Sequence, residues 1–255
     1  MLRIEDVDRV RLIAFNRPEV LNAFNTALYE AAGDALTDAA DDDAVAVVVL
    51  TGEGRAFSAG QDLAEMLALA DQRANGSPAG SEYGFARFMD ALMAFPKPVI
   101  AAVNGVGVGL GLTMLGYCDL VLMADTARVR APFTSLGVVP EAGGSVTLPE
   151  LMGRQAAAHA IFTSAWIDAE QARACGLAWK VVPRADLLDE AIAVATEMAA
   201  MPLVSLVESK KLLSAGRISA AHAARAREEA VFAALTGAPD NRAALEGFLA
   251  KRPSP

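Results

Sequence analysis

The chain has 255 residues, of which 54% are hydrophobic and 21% are charged. This length and composition predict one compact globular unit, or one large domain with a small appendage. The net charge is −9 and the basic residues form no stripe, which argues against binding to nucleic acid or to an anionic membrane surface. The sequence contains no run of about eighteen uncharged apolar residues, so no membrane span is predicted.

The cysteines and the two ends of the chain carry no metal-binding or targeting pattern. Cys118 and Cys175 lack metal-ligand spacing, and we interpret both as small core residues of a reduced protein. The N-terminal MLRIEDVDRVRLIAF has early acids and no apolar signal region, and the C-terminal KRPSP is not a peroxisomal signal. These features predict a cytoplasmic protein without a bound metal.

Strand and helix patterns alternate through the first 186 residues. Alternation or β-branched runs predict strands in VDRVRLIAFN (as an edge-type strand), AVAVVVLTG, PKPVIAAVNG, DLVLMAD, ARVRAPF and the end of SAWIDAEQARACGLAWKVVP. Apolar residues at helical spacing predict helices in NAFNTALYEAAGDALTDAADD, DLAEMLALADQ, FARFMDALMAF, LPELMGRQAAAHAIF and the middle of SAWIDAEQARACGLAWKVVP. A Gly- and Ser-rich surface loop, RANGSPAGSEYG, is predicted between the second and third helices.

The last part of the chain has a different pattern. From about Leu187 it is Ala-rich, amphipathic and helical throughout. Alternating strands and helices followed by a run of helices predict an α/β fold, with a core over residues 1–186 and a helical C-terminal region over 187–255.

Two glycine-rich segments place backbone amides where a strand gives way to a helix. They are RAFSAGQDLAEM at 55–66 and NGVGVGLGLTML at 104–115. The second segment has GxGxGxG spacing rather than GxGxxG, so it only weakly suggests a dinucleotide site. The glycines would also be explained by close packing of helices on the sheet. Alternatively, each segment directs one free N–H at the same carbonyl oxygen, as a preorganised donor pair for an oxygen that gains negative charge.

Several motifs in order along the chain resemble one family. RAFSAGQDL, PKPVIAAVNGVGVGLGLTMLGYCDLVLMAD, LGVVPEAGGSVTLPELMG and DAEQARACGLAWKVVP are similar to the crotonase, or enoyl-CoA hydratase/isomerase, superfamily. The resemblance implies a spiral of ββα turns with a C-terminal helical trimerisation region, in a homotrimer or a dimer of trimers. It also implies an acyl-CoA thioester substrate, with coenzyme A as part of that substrate and no separate cofactor.

The same resemblance assigns roles to residues by position. The thioester oxygen would be held by the backbone N–H groups of Gln61 and Leu110 in an oxyanion hole. The substrate-binding residues implied in this way are Ala59, Gly60, Gln61, Asp62, Leu63 and Phe133.

The positions of the two hydratase glutamates decide which reaction is expected. Thr113 and Phe133 occupy them, so both acids are missing. Adding water to a double bond needs groups that deprotonate the water and supply the α-proton, and neither side chain does this near neutral pH. A third family position holds Glu141, as in some isomerases of the family. The resemblance therefore favours a Δ3,Δ2-enoyl-CoA isomerase over an enoyl-CoA hydratase, a ring isomerase, a dehalogenase or a non-catalytic acyl-CoA-binding subunit.

Glu141 is the predicted catalytic residue, acting as a proton shuttle between C2 and C4 of the acyl chain. An apolar pocket containing Phe133 and Val139 is expected to raise the pKa of its carboxyl group. The alternative is that Glu141 caps, or lies in the first turn of, the helix that follows it.

Other residues carry minor expectations. Asp62 is expected to cap a helix that starts near Leu63, and Ser58 lies outside a nucleophile-elbow motif, which argues against a serine nucleophile. Arg17 and Arg55 are candidates for CoA phosphate contacts, or are solvated surface charges.

The last expectations concern the C-terminal region and the two histidines. The resemblance places Phe248 and Lys251 near the nucleotide end of CoA in a neighbouring subunit. His159 and His222 lie in Ala-rich helices, where nothing in the pattern indicates a metal site or a catalytic triad.

Overall fold

The computed structural model describes residues 1–65 and 81–250. Residues 63–65 are helical, but the rest of the predicted helix DLAEMLALADQ lies outside the described residues. The first part of the predicted loop RANGSPAGSEYG, Lys251 and the side chain of Phe248 also lie outside them.

The described residues form two sheets. The six-stranded sheet has the order β1-β2-β3-β5-β7-β10, and the four-stranded sheet has the order β4-β6-β8-β9. The strands are β1 Leu2–Val7, β2 Val10–Phe15, β3 Val47–Gly52, β4 Ala56–Ser58, β5 Val99–Val103, β6 Val106–Val108, β7 Leu120–Ala124, β8 Arg128–Arg130, β9 Trp166–Asp168 and β10 Lys180–Val182.

Most strand pairs are parallel, as the alternating pattern predicts. The antiparallel pairs are β1 with β2 and β8 with β9, so both sheets are mixed. The predicted edge strand was wrong in its position, because β2 is the second strand and β1 covers its outer side. A two-residue turn at Asp8, whose φ is 53°, returns the chain from β1 to β2. The pattern missed β1 because its second half is exposed and polar.

The helices surround the sheets and then continue alone to the C-terminus. Their bounds are α1 Thr26–Asp41, α2 Ser81–Ala94, α3 Leu110–Thr113, α4 Gly144–Met152, α5 Arg154–Thr163, α6 Ala169–Cys175, α7 Leu187–Ala199, α8 Leu203–Leu235 and α9 Pro239–Ala250. The helical C-terminal region is therefore present, and the architecture is the predicted α/β fold.

Three predicted element boundaries were wrong. The segment predicted as one helix from Leu148 to Phe162 is two helices, α4 and α5, because Gly153 has a φ of 78° and breaks the helical path. Helix α4 also begins earlier, at Gly144. The end of the predicted loop is helical instead, since α2 already starts at Ser81.

The core lies between the six-stranded sheet and its helices. Every residue of β3 is buried, and helix α7 packs against this strand. Helix α7 buries Ala191 and Ala195, whose small side chains allow it to lie close to the sheet. Among the described residues, no single helix has the length and hydropathy of a membrane span; two helical segments meet that test only jointly, across a bend of 106°.

Candidate active site

Strands β4 and β6 bring the two glycine-rich segments side by side. They pair in parallel, and glycine is required where the chains touch. A Cβ atom at Gly105 would lie 2.1 Å from the carbonyl oxygen of Arg55, and one at Gly111 would lie 2.4 Å from that of Ser58. The glycines therefore allow close packing of the two chains, and that packing also places the ends of both segments together.

The amide of Gln61 faces away from its neighbouring chain. Phe24 donates its N–H to Gly60 O at 2.7 Å, and Asp62 donates its N–H to Phe24 O at 2.8 Å. Successive N–H groups of an extended chain point in opposite directions, so the Gln61 amide points to the other side. Within the described part of the chain it has no hydrogen-bond acceptor, and Gln61 lines a cleft.

The second predicted donor is the amide of Leu110, at the first position of α3. The preceding Gly109 has a φ of 56°, which turns the chain from β6 into the helix. A Cβ atom at Gly60 would lie 3.4 Å from Leu110 N, so this amide adjoins the turn that carries Gln61. It also lacks an acceptor among the described residues, as the first amide of a helix does. Two unpaired amides on neighbouring turns are suited to binding one oxygen that gains negative charge.

Glu141 lies beside these amides. Its Oε1 atom is 4.0 Å from the Cβ position of Gly109, the residue just before Leu110. Glu141 and Gly109 both line the cleft. The geometry therefore places a carboxyl group next to the predicted oxyanion hole, although Glu141 follows Leu110 by 31 residues in the sequence.

Glu141 does not cap the helix that follows it. The N-cap residue of α4 is Gly143, and no side chain of the cap makes a hydrogen bond to the helix. Glu228 on α8 serves this end instead, because its Oε2 accepts from Gly143 N and its Oε1 accepts from Ser145 N, both at 2.7 Å. The capping interpretation of Glu141 was therefore wrong, since another carboxylate occupies the helix N-terminus.

No sequence pattern predicted a role for Glu228. A signal was present, because Glu228 falls four residues after Ala224 and seven after Ala221 on the buried side of α8. An acid on the buried side of a helix needs hydrogen-bond donors, and its two backbone donors are 83 and 85 residues away in the chain.

Burial and, to a smaller extent, the neighbouring Glu228 carboxylate together raise the pKa of Glu141 to about 7. The expected apolar wall is present in part. Phe133 and Val138 line the cleft with Glu141, so the prediction of Val139 was wrong by one position. A carboxyl group that titrates near neutral pH can both accept and return a proton.

The two hydratase positions differ in their surroundings. Thr113 is fully buried, and its hydroxyl lies 3.4 Å from Gly109 O, within its own helix. Its methyl group packs on Gly144, where a Cβ atom would lie 2.9 Å away. Phe133 is 4% exposed and lines the cleft. Neither side chain is able to transfer a proton.

The other predicted substrate residues also reach the cleft. Residues 59–63 all line it. Asp62 accepts from Ala64 N at 3.2 Å, in agreement with the predicted cap, and it pairs with Arg17 at 3.2 Å. The Arg17 guanidinium is therefore bound to a carboxylate, while Arg55 is exposed and does not line the cleft.

The cleft has a volume of about 890 Å³. One part of its wall is basic and aromatic: the guanidinium carbon of Arg128 lies 4.3 Å from the ring centre of Trp166, and that of Arg130 lies 5.7 Å away. Helix α9 forms another part of the wall, with Asn241 and Leu245. The space and the mixed lining suit a long ligand with an apolar and an anionic part.

Other nucleophile and metal candidates do not form a second site in the described residues. The Ser58 hydroxyl is buried and donates to Asn22 O at 2.9 Å. The described residues contain no group of three or more His, Cys, Asp or Glu side chains that could hold a metal ion. Cys118 is buried, as predicted, whereas Cys175 is only half-buried.

Comparisons with known proteins place this geometry in a family. The model of the enoyl-CoA hydratase/isomerase family matches residues 5–255. The chain belongs to this family. An enoyl-CoA hydratase/isomerase structure from Pseudoalteromonas atlantica has a TM-score of 0.90 and 32% identity, covering 100% of this chain and 98% of the other.

The names of similar proteins include both a hydratase and an isomerase. An enoyl-CoA hydratase structure from Mycobacterium marinum is 52% identical, with a TM-score of 0.78, and covers 83% of this chain and 98% of the other. The curated 1,2-epoxyphenylacetyl-CoA isomerase of Escherichia coli is 32% identical over 249 residues, or 95% of this chain and 93% of its own. This protein is therefore an acyl-CoA-active enzyme of the hydratase/isomerase family with a crotonase fold.

Proposed function

We propose that this enzyme is a Δ3,Δ2-enoyl-CoA isomerase in which Glu141 carries a proton from one carbon of the acyl chain to another. The position of Glu141 carries the proposal: its carboxylate lines the cleft beside the Gly109–Leu110 turn. Among the described residues that line the cleft, the other carboxylate is Asp62, which is paired with Arg17. Glu141 is thus the acid available for chemistry.

The proposed mechanism begins with the thioester oxygen bound by the amides of Gln61 and Leu110. The Glu141 carboxylate removes a proton from C2 of 3-enoyl-CoA, and the electron pair moves onto the thioester oxygen to form a dienolate. The same carboxyl group then returns the proton at C4, which leaves the double bond between C2 and C3. One such proton shuttle contributes roughly 10²–10⁴ in rate, and each amide donor contributes about 3 kcal/mol.

The acid–base balance of the site supports this assignment. A pKa of about 7 lets Glu141 act as a base when ionised and as an acid after it has taken the proton. Hydration would need a second group to hold the water, but Thr113 is buried in its own helix and Phe133 is apolar. One titrating acid favours moving a proton over adding water.

We also infer a homotrimer or a dimer of trimers. Helices α5 and α8 leave large apolar side chains exposed in the single chain, with Phe162 at 74%, Leu212 at 79% and Leu213 at 84%. Apolar side chains of this size favour burial against another copy. Light scattering of the purified protein tests this, with a monomer at micromolar concentration as the contrary result.

Two substrates distinguish the candidate reactions. The protein is given 3-enoyl-CoA and 2-enoyl-CoA separately, and the conjugated thioester chromophore is followed. The isomerase gains this chromophore from the first substrate and does not hydrate the second. Rapid loss of the chromophore from 2-enoyl-CoA would instead support a hydratase, the activity named for the Mycobacterium marinum relative.

A matched pair of variants then tests the residue. Glu141→Gln is expected to lower isomerase turnover by roughly 10²–10⁴ and to keep acyl-CoA binding. Glu150→Gln, on the exposed side of α4, serves as the control and is expected to behave as the parent. Full turnover in Glu141→Gln would remove the shuttle role. Binding by the parent without turnover of either substrate would indicate a non-catalytic subunit, and action only on ring-bearing acyl-CoA would indicate a ring isomerase.

A further inference from the structure

The backbone between Glu141 and helix α4 is strained. Ala142 has a φ of 58° and Gly143 has a φ of 72°, so two consecutive residues lie in the left-handed region. Ala142 is not a glycine and is disfavoured there. Such a conformation persists only where the surrounding structure holds it, and it directly follows the proposed catalytic acid.

Two side chains from other elements hold this turn. The Tyr117 hydroxyl donates to Ala142 O, and Glu228 accepts from Gly143 N and Ser145 N. No Cβ atom fits at Gly143, because it would lie 2.5 Å from the Tyr117 oxygen. The turn is thus fixed on both sides by groups that are remote in sequence.

Glu228 is unusual because it is a carboxylate that is only 6% exposed. Within the described part of the chain it pairs with no cation, since the nearby Arg225 is bound to Asp90 and Glu229. Its charge is compensated by the two backbone donors and by the positive end of α4. An apolar residue at this position would avoid the cost of burying a charge, so we infer that the carboxylate has a role that an apolar side chain does not fill.

We propose that Glu228 is a positioning residue that fixes the Glu141 carboxylate beside the oxyanion amides through the strained turn between them. This inference rests on the proposed function of Glu141 as a proton shuttle. It gives the C-terminal helical region a direct role in the site, because α8 supplies the group that holds the catalytic turn. It also gives the buried charge a second effect, since the carboxylate favours the protonated form of Glu141.

Other groups around Glu228 must be considered in any pH experiment. Tyr117 faces it, and burial, followed by the Glu228 charge, raises the pKa of that hydroxyl above its usual value. Arg217 donates to Gly116 O next to Tyr117, and Arg225 forms its ion pairs one turn away on α8. In this cluster Glu141 is the group whose pKa lies near 7.

Glu228→Gln keeps the size of the side chain and removes its charge and one acceptor. The kcat for 3-enoyl-CoA is expected to fall about 10- to 10²-fold, whereas KM changes by less than about threefold. The ascending limb of the kcat/KM profile is expected to move to lower pH. Glu228→Asp keeps the charge, so the ascending limb of its kcat/KM profile stays at the same pH as in the parent, while kcat falls. Glu208→Gln, an exposed acid on the same helix, is the control.

A direct titration separates this inference from the proposed reaction. The ¹³C resonance of the Glu141 carboxyl group, assigned by its loss in Glu141→Gln, is followed against pH in the parent and in both Glu228 variants. A lower midpoint in Glu228→Gln, with the parent midpoint kept in Glu228→Asp, supports the inference even without turnover. An unchanged midpoint and an unchanged pH profile in a folded Glu228→Gln protein would overturn it. If Glu228→Gln does not fold, an unchanged kcat in Glu228→Asp overturns it.

Discussion

Gly60 lies so close to Val108 that a Cβ atom would sit 2.5 Å from the Val108 carbonyl oxygen. This contact joins the turn that carries Gln61 to the strand that leads to Leu110. The two amides proposed to bind the thioester oxygen are therefore brought together by a glycine that none of the other nineteen residue types can replace without moving one chain.

Gly60→Ala is expected to separate the two amides. The added methyl group meets Val108 O, and the φ of 81° at this position is strained for alanine. Turnover is expected to fall by roughly 10²–10³, the cost of one oxyanion donor, and thermal unfolding is expected at a lower temperature. Gly216→Ala is the matched control, because no atom lies within 4 Å of its added Cβ in helix α8. Parent-like turnover in Gly60→Ala would contradict the close-contact argument.

The pH dependence of turnover is expected to follow Glu141. The base must be ionised to take the C2 proton, so kcat/KM rises with pH through a pKa of about 7 in the free enzyme. The measurement is a kcat/KM profile for 3-enoyl-CoA from pH 5 to 9, with parent stability checked at each end. If kcat/KM instead rose with a midpoint near pH 4.5, the ordinary pKa of a glutamate, the carboxyl group would be solvated during the reaction.

The same raised pKa predicts a stability effect with a definite sign. The folded state binds the Glu141 proton more tightly than the unfolded state, whose pKa is near 4.5. The free energy of unfolding therefore decreases as pH rises from 4.5 to about 7, by at most about 3 kcal/mol, and is level above that range. Glu141→Gln is expected to lack this decrease and to be more stable than the parent at pH 8. Urea unfolding at pH 5 and pH 8 checks this. The same change in the free energy of unfolding between the two pH values in both proteins would exclude it.

The ion pair between buried Lys210 and exposed Asp119 is expected to affect stability alone, because neither residue lines the cleft. Lys210 is 9% exposed, and its Nζ atom lies 2.8 Å from Asp119 and 2.8 Å from Lys97 O. Lys210→Met removes the cation beside Asp119 and leaves the buried Lys97 carbonyl oxygen without its donor, and is expected to cost about 1–3 kcal/mol in urea unfolding. Lys211→Met, whose side chain is 73% exposed, is expected to change stability by less than about 0.5 kcal/mol. Removing Asp119 as well by Asp119→Asn should recover part of the loss, and a full loss in the double variant would argue against the pair.

Local patterns were enough to predict most of the chain. The β-branched run at β3 predicts a strand buried on both faces, and the Ala-rich segment after Leu187 predicts helices. Strand β1 escaped prediction because its pattern is polar at an exposed edge, and Gly153 broke a helix that apolar spacing alone predicted as continuous. These errors arise where exposure or a single φ angle outweighs periodicity.

The sequence by itself determined the α/β order, the two glycine-rich segments and the presence of Glu141 between an apolar run and two glycines. Only the tertiary structure decided what surrounds that acid. Gly60 and Val108 meet across 48 residues, and Glu228 reaches the turn after Glu141 across 85 residues. Contacts over such separations depend on how the sheets and helices pack, and the pKa of a carboxyl group depends on that packing because burial and nearby charge set it.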